Sequence, residues 1–253
     1  MSAPAIELRG LSKAFGDLPV LENLSLHVER GEFVSILGPS GCGKSTILSV
    51  LNGTEPADGG EVLLDGRPLE RNANPFAWMP QSDVLLPWRT VEQNVALGGE
   101  VAGGLDRREA RAAARTLLPT FGLDGFGDHR PYQLSGGMRQ RAALARTVAQ
   151  GRDILLLDEP FGALDALTRT ELQLWLEGIW ERDRWTVVLI THDVREAVLL
   201  SDRIYVLGPR ATGIALELDV PLPRPRTVDV IGDPAAAALE RELLHALHAG
   251  RTA

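Results

Sequence analysis

Residues 33–53 read FVSILGPSGCGKSTILSVLNG, so an apolar run, a glycine-rich loop and a helical pattern follow one another. The loop GPSGCGKS (38–45) matches G-x-x-x-x-G-K-[ST], a pattern of loops that bind polyphosphates. Its glycines let successive backbone N–H groups converge on the phosphates, and the helix that begins there presents its positive end. The pattern predicts a nucleotide site in which Lys44 reaches the β- and γ-phosphates and the Ser45 hydroxyl binds Mg²⁺.

Two carboxylates follow a second apolar run in the segment ILLLDE (154–159). A wholly aliphatic run is typical of a parallel strand that is covered on both faces. Open α/β sheets bind ligands at the carboxyl ends of their strands, so we expect Asp158 beside the phosphate loop as a ligand of Mg²⁺. Glu159 is the candidate base that polarises the attacking water. The alternative, an exposed acidic turn that closes a strand, is the weaker interpretation of the segment alone, and the phosphate loop on the same chain disfavours it further.

The segment LSGGMRQ (134–140) places a serine and two glycines at the predicted start of a helix. Such a start offers an anion one hydroxyl and several free N–H groups. Taken alone, the segment is better explained as an N-cap followed by flexible glycines. Beside two nucleotide motifs, an anion cradle of Ser135, Gly136 and Gly137 is the better interpretation.

Strand and helix patterns alternate on both sides of a helical stretch. Short strands with tight turns are predicted up to residue 66, whereas residues 90–150 are helical, with Asp106 and Glu109 as a capping signal. Beyond residue 150, strands at 154–157, 186–190 and 203–207 alternate with helices at 167–183 and 194–200. This order predicts the α/β class, with a core sheet interrupted by a helical subdomain. The expected boundaries within this single domain (1–253) are a core of 1–87 and 151–208, a helical subdomain of about 88–150 and a C-terminal tail of 209–253.

The C-terminal tail carries weaker signals. The segment VPLPRPR (220–226) is expected to be extended, with Arg224 and Arg226 in an ordinary solvated linker. Residues 233–249 have the pattern of an amphipathic helix. The sequence gives no clear role to either part.

Composition excludes several classes of protein. The chain has 253 residues, and 26 basic against 34 acidic side chains give a net charge of −8, which argues against a nucleic-acid partner. A single cysteine cannot form an internal disulfide. The sequence contains neither a signal-peptide pattern nor a run of roughly 18 apolar residues that could span a bilayer. We therefore expect a cytoplasmic protein.

With these three motifs in order, residues from about 6 to 210 resemble the ATP-binding subunits of ABC transporters. Residues 38–46 look like the Walker A motif of that family, residues 154–159 like its Walker B motif and residues 134–140 like its signature. The resemblance implies the ABC ATPase fold, a P-loop NTPase core sheet with an inserted helical subdomain. ATP and Mg²⁺ are the implied cofactors.

The resemblance also implies roles for four residues that say little alone. Gln81 resembles the Q-loop glutamine, which contacts Mg²⁺ and the water, and His192 resembles the switch histidine near the γ-phosphate. Asp165 in GALD (162–165) resembles the D-loop aspartate at a dimer contact, although it could simply cap the next helix. Phe15 fits the aromatic residue that stacks on adenine, with a core position as the alternative.

The implied site therefore has three sets of residues. The ATP-binding set is Phe15, Gly38, Pro39, Ser40, Gly41, Cys42, Gly43, Lys44, Ser45, Thr46, Gln81, Ser135, Gly136, Gly137 and Asp165. The catalytic set is Glu159, His192, Gln81 and Lys44. The Mg²⁺ ligands are Ser45, Gln81 and Asp158.

Partners follow from the resemblance as well. Family members bind two ATP between two head-to-tail subunits, which implies a homodimer or a dimer with another ABC subunit. They energise integral membrane permeases from the inner face of the membrane, and a separate solute-binding protein is expected. The motifs Leu-Pro-Trp (86–88) and Arg-Pro-Arg (224–226) resemble the importer subgroup for nitrate, sulfonates and taurine. The apolar residues Leu85, Leu86 and Trp88 either receive a permease helix or pack the helical subdomain onto the sheet.

Three other functions are alternatives to an importer ATPase. A soluble ABC-type ATPase that drives assembly or remodelling would have the same site, so only its partners would distinguish it. A nucleic-acid-associated ABC ATPase is disfavoured by the negative charge and the single nucleotide cassette, and a metabolic kinase would not explain the signature.

Cys42 lies inside the phosphate loop, where the helix start is expected to favour its thiolate. The alternative is a small residue that only fills space.

Overall fold

The computed structural model describes residues 3–70, 75–102 and 104–249. These residues form two compact units, one of Met1–Ala73 with Gln173–Ala253 and the other of Asn74–Leu172. The domain boundaries predicted above stay a prediction beside these units. No helix within the described ranges combines the length and the apolar character needed to cross a membrane.

Strands and helices alternate along the chain, as the predicted α/β class requires. The strands are β1 (Ile6–Phe15), β2 (Leu18–Val28), β3 (Phe33–Leu37), β4 (Gly59–Leu64), β5 (Arg67–Pro68), β6 (Phe76–Met79), β7 (Ile154–Asp158), β8 (Thr186–Thr191), β9 (Arg203–Leu207) and β10 (Ile214–Asp219). The helices are α1 (Lys44–Leu51), α2 (Val91–Ala102), α3 (Arg107–Thr120), α4 (Gly136–Val148), α5 (Ala166–Asp183), α6 (Val194–Leu200) and α7 (Pro234–Ala249). Short 3-10 turns lie at Pro131–Gln133 and Val228–Val230.

The first unit contains an antiparallel sheet in the order β2-β1-β4-β5. β1 and β2 form a long hairpin, from Ile6 opposite Val28 to Phe15 opposite Leu18. Side chains alternate between the two faces of a strand, and Ile6, Leu8 and Leu11 of β1 are buried. The hairpin therefore ends with Phe15 at its turn.

The same unit contains β10, β9, β3 and β8 side by side in that order. β3 pairs in parallel with both β8 and β9, and β10 pairs antiparallel with β9. Every residue of β3 and β8 is buried, as expected for aliphatic runs covered on both faces. β10 was not predicted, because its residues alternate between half-buried and exposed and it lies in the tail where the sequence pattern is weak.

The C-terminal tail is part of the core of the first unit. α7 packs on α6, β9 and β10. The shared apolar cluster consists of Leu37, Val194, Ala197, Val198, Ile204, Val206, Val220, Ala236 and Leu243. The amphipathic helix predicted at 233–249 is confirmed, and its apolar face is what makes this contact.

The second unit contains a two-stranded parallel pair and a group of helices. β6 and β7 lie in register, from Phe76 opposite Ile154 to Met79 opposite Leu157. α2 packs against both α3 and α4. The capping box is confirmed, because the Asp106 carboxylate accepts from the N–H of Glu109 and the Glu109 carboxylate accepts from the N–H of Asp106. No strand interrupts residues 90–150 in the part that is described, which confirms the helical prediction.

Candidate nucleotide site

The loop between β3 and α1 has a backbone that requires glycine. Gly41 has a φ of 78° and Gly43 a φ of 107°, both in the left-handed region. A Cβ on Gly43 would lie 2.7 Å from Leu21 Cδ2, and one on Gly38 would lie 2.8 Å from Cys42 Sγ. Backbone shape and close packing therefore both demand glycine, as expected for a phosphate-binding loop.

Lys44 lies over this loop and is almost fully buried. Its Nζ donates to the carbonyl of Gly38 at 2.7 Å and to that of Pro39 at 3.0 Å. These two carbonyls occupy two of the three N–H donors of an ammonium, so the third suits a phosphate oxygen. Ser40 and Ser45 are exposed on the same loop and helix start, and Thr46 is half-buried.

The thiol of Cys42 is buried, and its pKa is not lowered as the sequence predicted. The side chain is 5% exposed. Burial raises the pKa of the Cys42 thiol, and the opposing effect of the Lys44 charge and of backbone N–H groups does not reverse it. The prediction that the helix start favours the thiolate is therefore wrong, because desolvation of the charged form is the larger effect.

The sheet brings His192 to the phosphate loop. In the parallel register of β3 and β8, Leu37 lies opposite Thr191. Gly38 and His192 are the next residues of these two strands, so they begin their loops at the same edge of the sheet. His192 is exposed there. Phe15 is 47% exposed, which excludes the core position, and Lys13 Nζ lies 5.3 Å from the centroid of its ring.

The second unit brings together Gln81 and the two carboxylates. β6 and β7 are parallel, so Gln81, just after β6, and Glu159, just after β7, lie at the same edge. Gln81 Nε2 donates to Glu159 Oε2 at 3.2 Å. Asp158 is the half-buried last residue of β7. The hydrogen bond fixes the Glu159 carboxylate next to an amide that can also face a ligand.

The signature segment (134–140) places its polar groups at the N-terminal end of α4. Ser135 is the N-cap, and its Oγ accepts from the N–H of Met138 at 3.2 Å. A hydroxyl that accepts in this way keeps its own O–H to donate to an anion. The first N–H groups of a helix have no partner within the helix, so those of Gly136 and Gly137 add to the cradle. A Cβ on Gly137 would lie 2.6 Å from Thr168 Cγ2.

Asp165 caps α5. Its Oδ1 accepts from the N–H of Thr168 at 3.1 Å, and this bond together with the Thr168 side chain lowers the pKa of the Asp165 carboxyl. The capping alternative raised by the sequence is thus observed, and a carboxylate that caps a helix remains charged at neutral pH. The D-loop role at a dimer contact stays a prediction.

The segment after Gln81 is tied to the signature helix. Arg139 Nε pairs with Asp83 Oδ2 at 3.2 Å. Arg146 donates to the carbonyls of Val84 at 2.7 Å and Asp83 at 2.6 Å. Fully buried Asn94 accepts from the N–H of Leu86 and donates to three carbonyls of residues 86–90. No sequence motif indicated these bonds, and those of Arg139 and Arg146 join residues 56 to 63 positions apart in the chain.

The three apolar residues of this segment divide between the two alternatives. Leu85 is buried, and Leu86 is half-buried. Trp88 is 69% exposed. Packing therefore accounts for Leu85, whereas Trp88 is the residue of the three that a partner could cover.

Three arginines of the first unit were missed or misjudged. Arg210 Nε lies 3.4 Å from the carbonyl oxygen of Gly41, so the loop after β9 touches the phosphate loop. Arg226 is 3% exposed and Arg224 is bonded to Asp202 and Glu177. The expectation of a solvated linker is wrong, because Arg224 pairs with carboxylates and the Nη1 and Nη2 groups of Arg226 donate to backbone carbonyls inside the fold.

Comparisons with known proteins agree with this site. A profile of the ABC transporter family matches residues 21–162. The aliphatic sulfonates import ATP-binding protein SsuB 1 of Agrobacterium fabrum is 46% identical over 96% of this chain and 83% of its own length. SsuB 2 of the same organism is 45% identical over 95% of this chain and 88% of its own length. SsuB 2 of Pseudomonas aeruginosa is 42% identical over 95% of this chain and 83% of its own length.

Solved structures agree as well. The ATP-binding cassette MJ0796, in a dimeric post-hydrolysis state bound to ADP and Pi, superposes with a TM-score of 0.71 at 32% identity over 85% of this chain and 98% of that one. The protein cbiO1 of Clostridium perfringens superposes with a TM-score of 0.76 at 22% identity, over 97% of this chain and 98% of that one. At this identity the comparison supports the fold only. The chain therefore belongs to the ABC transporter family, as one of its ATP-binding, ATP-hydrolysing subunits.

Proposed function

We propose that two copies of this chain, or one copy and another ABC subunit, hold two ATP molecules between them. The phosphate loop of one subunit binds the phosphates, and Ser135, Gly136 and Gly137 of the other complete the cradle. The observation that supports this is the start of α4, where the exposed N-cap Ser135 offers an O–H and the first residues of the helix offer N–H groups that have no partner within the helix. ATP would then join the subunits, and its hydrolysis would release them.

The proposed chemistry is in-line attack of water on the γ-phosphate. Glu159 accepts a proton from the water, held in place by Gln81, while Lys44 and the cradle N–H groups offset the charge that develops. His192 donates a hydrogen bond toward the γ-phosphate from the edge it shares with the phosphate loop. Phe15 stacks on the adenine, and Asp165 borders the subunit contact.

Mg²⁺ is the metal that suits the proposed donors. The Ser45 hydroxyl, the Asp158 carboxylate and the Gln81 side chain all supply oxygen atoms, which this cation prefers. Mg²⁺, when bound with ATP, neutralises phosphate charge. Ser45 is exposed at the start of α1, and Asp158 and Gln81 lie at one edge of the second unit.

We further propose that the transporter is an importer of small solutes such as sulfonates, taurine or nitrate, each of which carries an anionic group. The support is the identity of 46% over 96% of the chain with a sulfonate import protein. The chain would lie on the inner face of the membrane and bind integral permease subunits, with Trp88 inside the contact. A separate solute-binding protein would deliver the solute.

The test is transport with the purified complex. A tagged chain is isolated from native membranes with its bound permease, placed in vesicles with ATP, and supplied with ethanesulfonate, taurine or nitrate. We expect ATP-dependent uptake of at least one of them. Trp88→Ala should lose uptake while keeping basal ATPase, and Val101→Ala, also exposed in the second unit, serves as its control. A chain found only in soluble complexes would favour the remodelling alternative.

A further inference from the structure

His192 is attached directly to a short helix. α6 has seven residues and begins at Val194, and its N-cap is Asp193, the residue after His192. The Asp193 Oδ1 accepts from the N–H groups of Arg195 at 2.9 Å and Glu196 at 3.3 Å. A helix of this length spans about 10 Å, and its backbone hydrogen bonds link one end to the other. The position of His192 therefore depends on how α6 is held.

Arg226 holds the other end of α6. Its Nη1 donates to the carbonyls of Val198 at 3.0 Å, Leu199 at 3.1 Å and Ser201 at 2.7 Å. The last carbonyls of a helix have no partner within the helix. A cation at this end is also stabilised by the partial negative charge of the helix dipole. Its Nη2 donates to the carbonyl of Val220 at 3.2 Å, so the same side chain ties the tail to the helix.

Arg224 and two carboxylates complete this clamp. Arg224 donates to the carbonyl of Leu200 at 2.7 Å and to Asp202 at 2.8 Å, and it lies 4.0 Å from the ring centroid of Trp180. Glu177, which is 1% exposed, contacts Arg224 and accepts from the backbone N–H of Arg226 at 3.1 Å. The Arg224 guanidinium is thus paired with acidic groups, and Glu177 also holds the backbone of Arg226.

The sides of α6 are also fixed. Gln173 Nε2 donates to Glu196 Oε2 at 3.1 Å inside the fold. Arg195 pairs with Glu240 of α7 at 3.8 Å, and the apolar face of α6 packs against α7. Arg224 and Arg226 both bind C-terminal carbonyls of α6 to the tail, and Arg226 makes three such bonds against one for Arg224.

We infer that Arg226 is a positioning residue for ATP hydrolysis. It fixes the C-terminal end of α6, and through this helix it keeps His192 in place beside the phosphate loop. The C-terminal tail is thereby part of the hydrolytic machinery. This inference rests on the proposed role of His192.

The primary variant is Arg226→Ala in the full chain. A shift of about 1 Å in a group that contacts the reacting atoms lowers rates by up to about a hundredfold, so we expect kcat to fall by about tenfold or more. KM for ATP should stay the same, because α6 does not form the phosphate loop. Arg226→Lys keeps the charge but not the forked donor set, and its kcat should be intermediate.

Two comparisons separate positioning from stability alone. Leu8→Ala removes a buried side chain from β1, outside the cluster of α6, and it serves as a destabilised control assayed at a temperature where both variants are folded. The second comparison repeats Arg226→Ala in a His192→Ala background. If Arg226 acts through His192, the loss there should be less than about twofold, because coupled residues are not additive.

The outcomes are distinct. A large loss of kcat for Arg226→Ala, unchanged kcat for Leu8→Ala and no further loss in the His192→Ala background support the inference. Full kcat for Arg226→Ala beside an inactive His192→Ala overturns the inference and leaves the proposed function standing. Full kcat for His192→Ala overturns both. If Arg226→Ala does not fold, Arg226→Lys is assayed in its place with the same criteria.

Discussion

Glu159, the proposed base, has a strained backbone. Its φ is 44°, in the left-handed region that side chains with a Cβ rarely occupy, and it precedes Pro160. Such conformations cost about 1–3 kcal/mol and persist where their surroundings determine them. Here the N–H of Gly162 donates to the carbonyl of Glu159 at 3.2 Å, and Gln140 donates to that of Pro160. The strain lies where the carboxylate must be aimed.

Gly137 is the residue of the signature whose lack of a side chain matters most. Gly137→Ala places a Cβ 2.6 Å from Thr168 Cγ2, so we expect the free energy of unfolding to fall by about 1–3 kcal/mol, as in other overpacked sites. Urea unfolding measures this change. The ATPase rate should fall with it, because the start of α4 must move.

The chain supplies two controls for this variant. Gly136→Ala places its Cβ 3.5 Å from Leu164 Cδ2, which is ordinary contact, so stability should be unchanged or higher. Thr168→Ser removes the methyl group that blocks the new Cβ, and combined with Gly137→Ala it should restore stability. Equal stability of Gly137→Ala and the wild type would refute the close contact.

Cys42 should be a slow thiol. Since burial raises its pKa, less thiolate exists at neutral pH than for a free cysteine, and each pKa unit lowers that fraction about tenfold. We expect iodoacetamide to react with the folded protein more slowly than with the same protein in urea. The folded rate should still be rising with pH above the ordinary thiol range. A fast reaction at pH 7 would show that the thiolate is stabilised after all.

At the scale of elements, α7 belongs to the core of its unit. Leu243 is fully buried in the cluster shared with α6 and β9, whereas its neighbour Leu244 is 45% exposed. Leu243→Ala should lower the free energy of unfolding by about 2–5 kcal/mol, the usual cost of such a cavity. Leu244→Ala should change it by less than about 0.5 kcal/mol. Similar effects of the two substitutions in urea unfolding would mean that α7 is not packed as described.

The elements also show what the sequence could predict. β3, α6 and β9 have the predicted bounds, because their aliphatic runs and helix cap are local signals. Asp158 lies at the end of β7, as the rule that ligand-binding residues gather at strand ends predicts, whereas the hydrogen bond between Gln81 and Glu159 was not predicted from the sequence. The burial of Arg226 could not be predicted from the sequence. Its partners are carbonyls at the end of α6, and β9 and β10 separate them from Arg226 along the chain.

At the scale of the whole molecule, the proposed function depends on an assembly of two subunits. Each subunit would contribute a phosphate loop to one ATP and a signature to the other. Glu159→Gln keeps the size of the side chain and its bond to Gln81 but removes the base, so ATP should stay bound. A stable dimer should then form only with ATP.

Light scattering of Glu159→Gln with and without Mg-ATP tests this arrangement. We predict a monomer without ATP and a dimer with it. Adding Ser135→Arg, which fills the cradle, should return the protein to a monomer while ATP still binds. A Glu159→Gln protein that binds ATP and remains monomeric would contradict the composite site, as would a dimer that Ser135→Arg leaves intact.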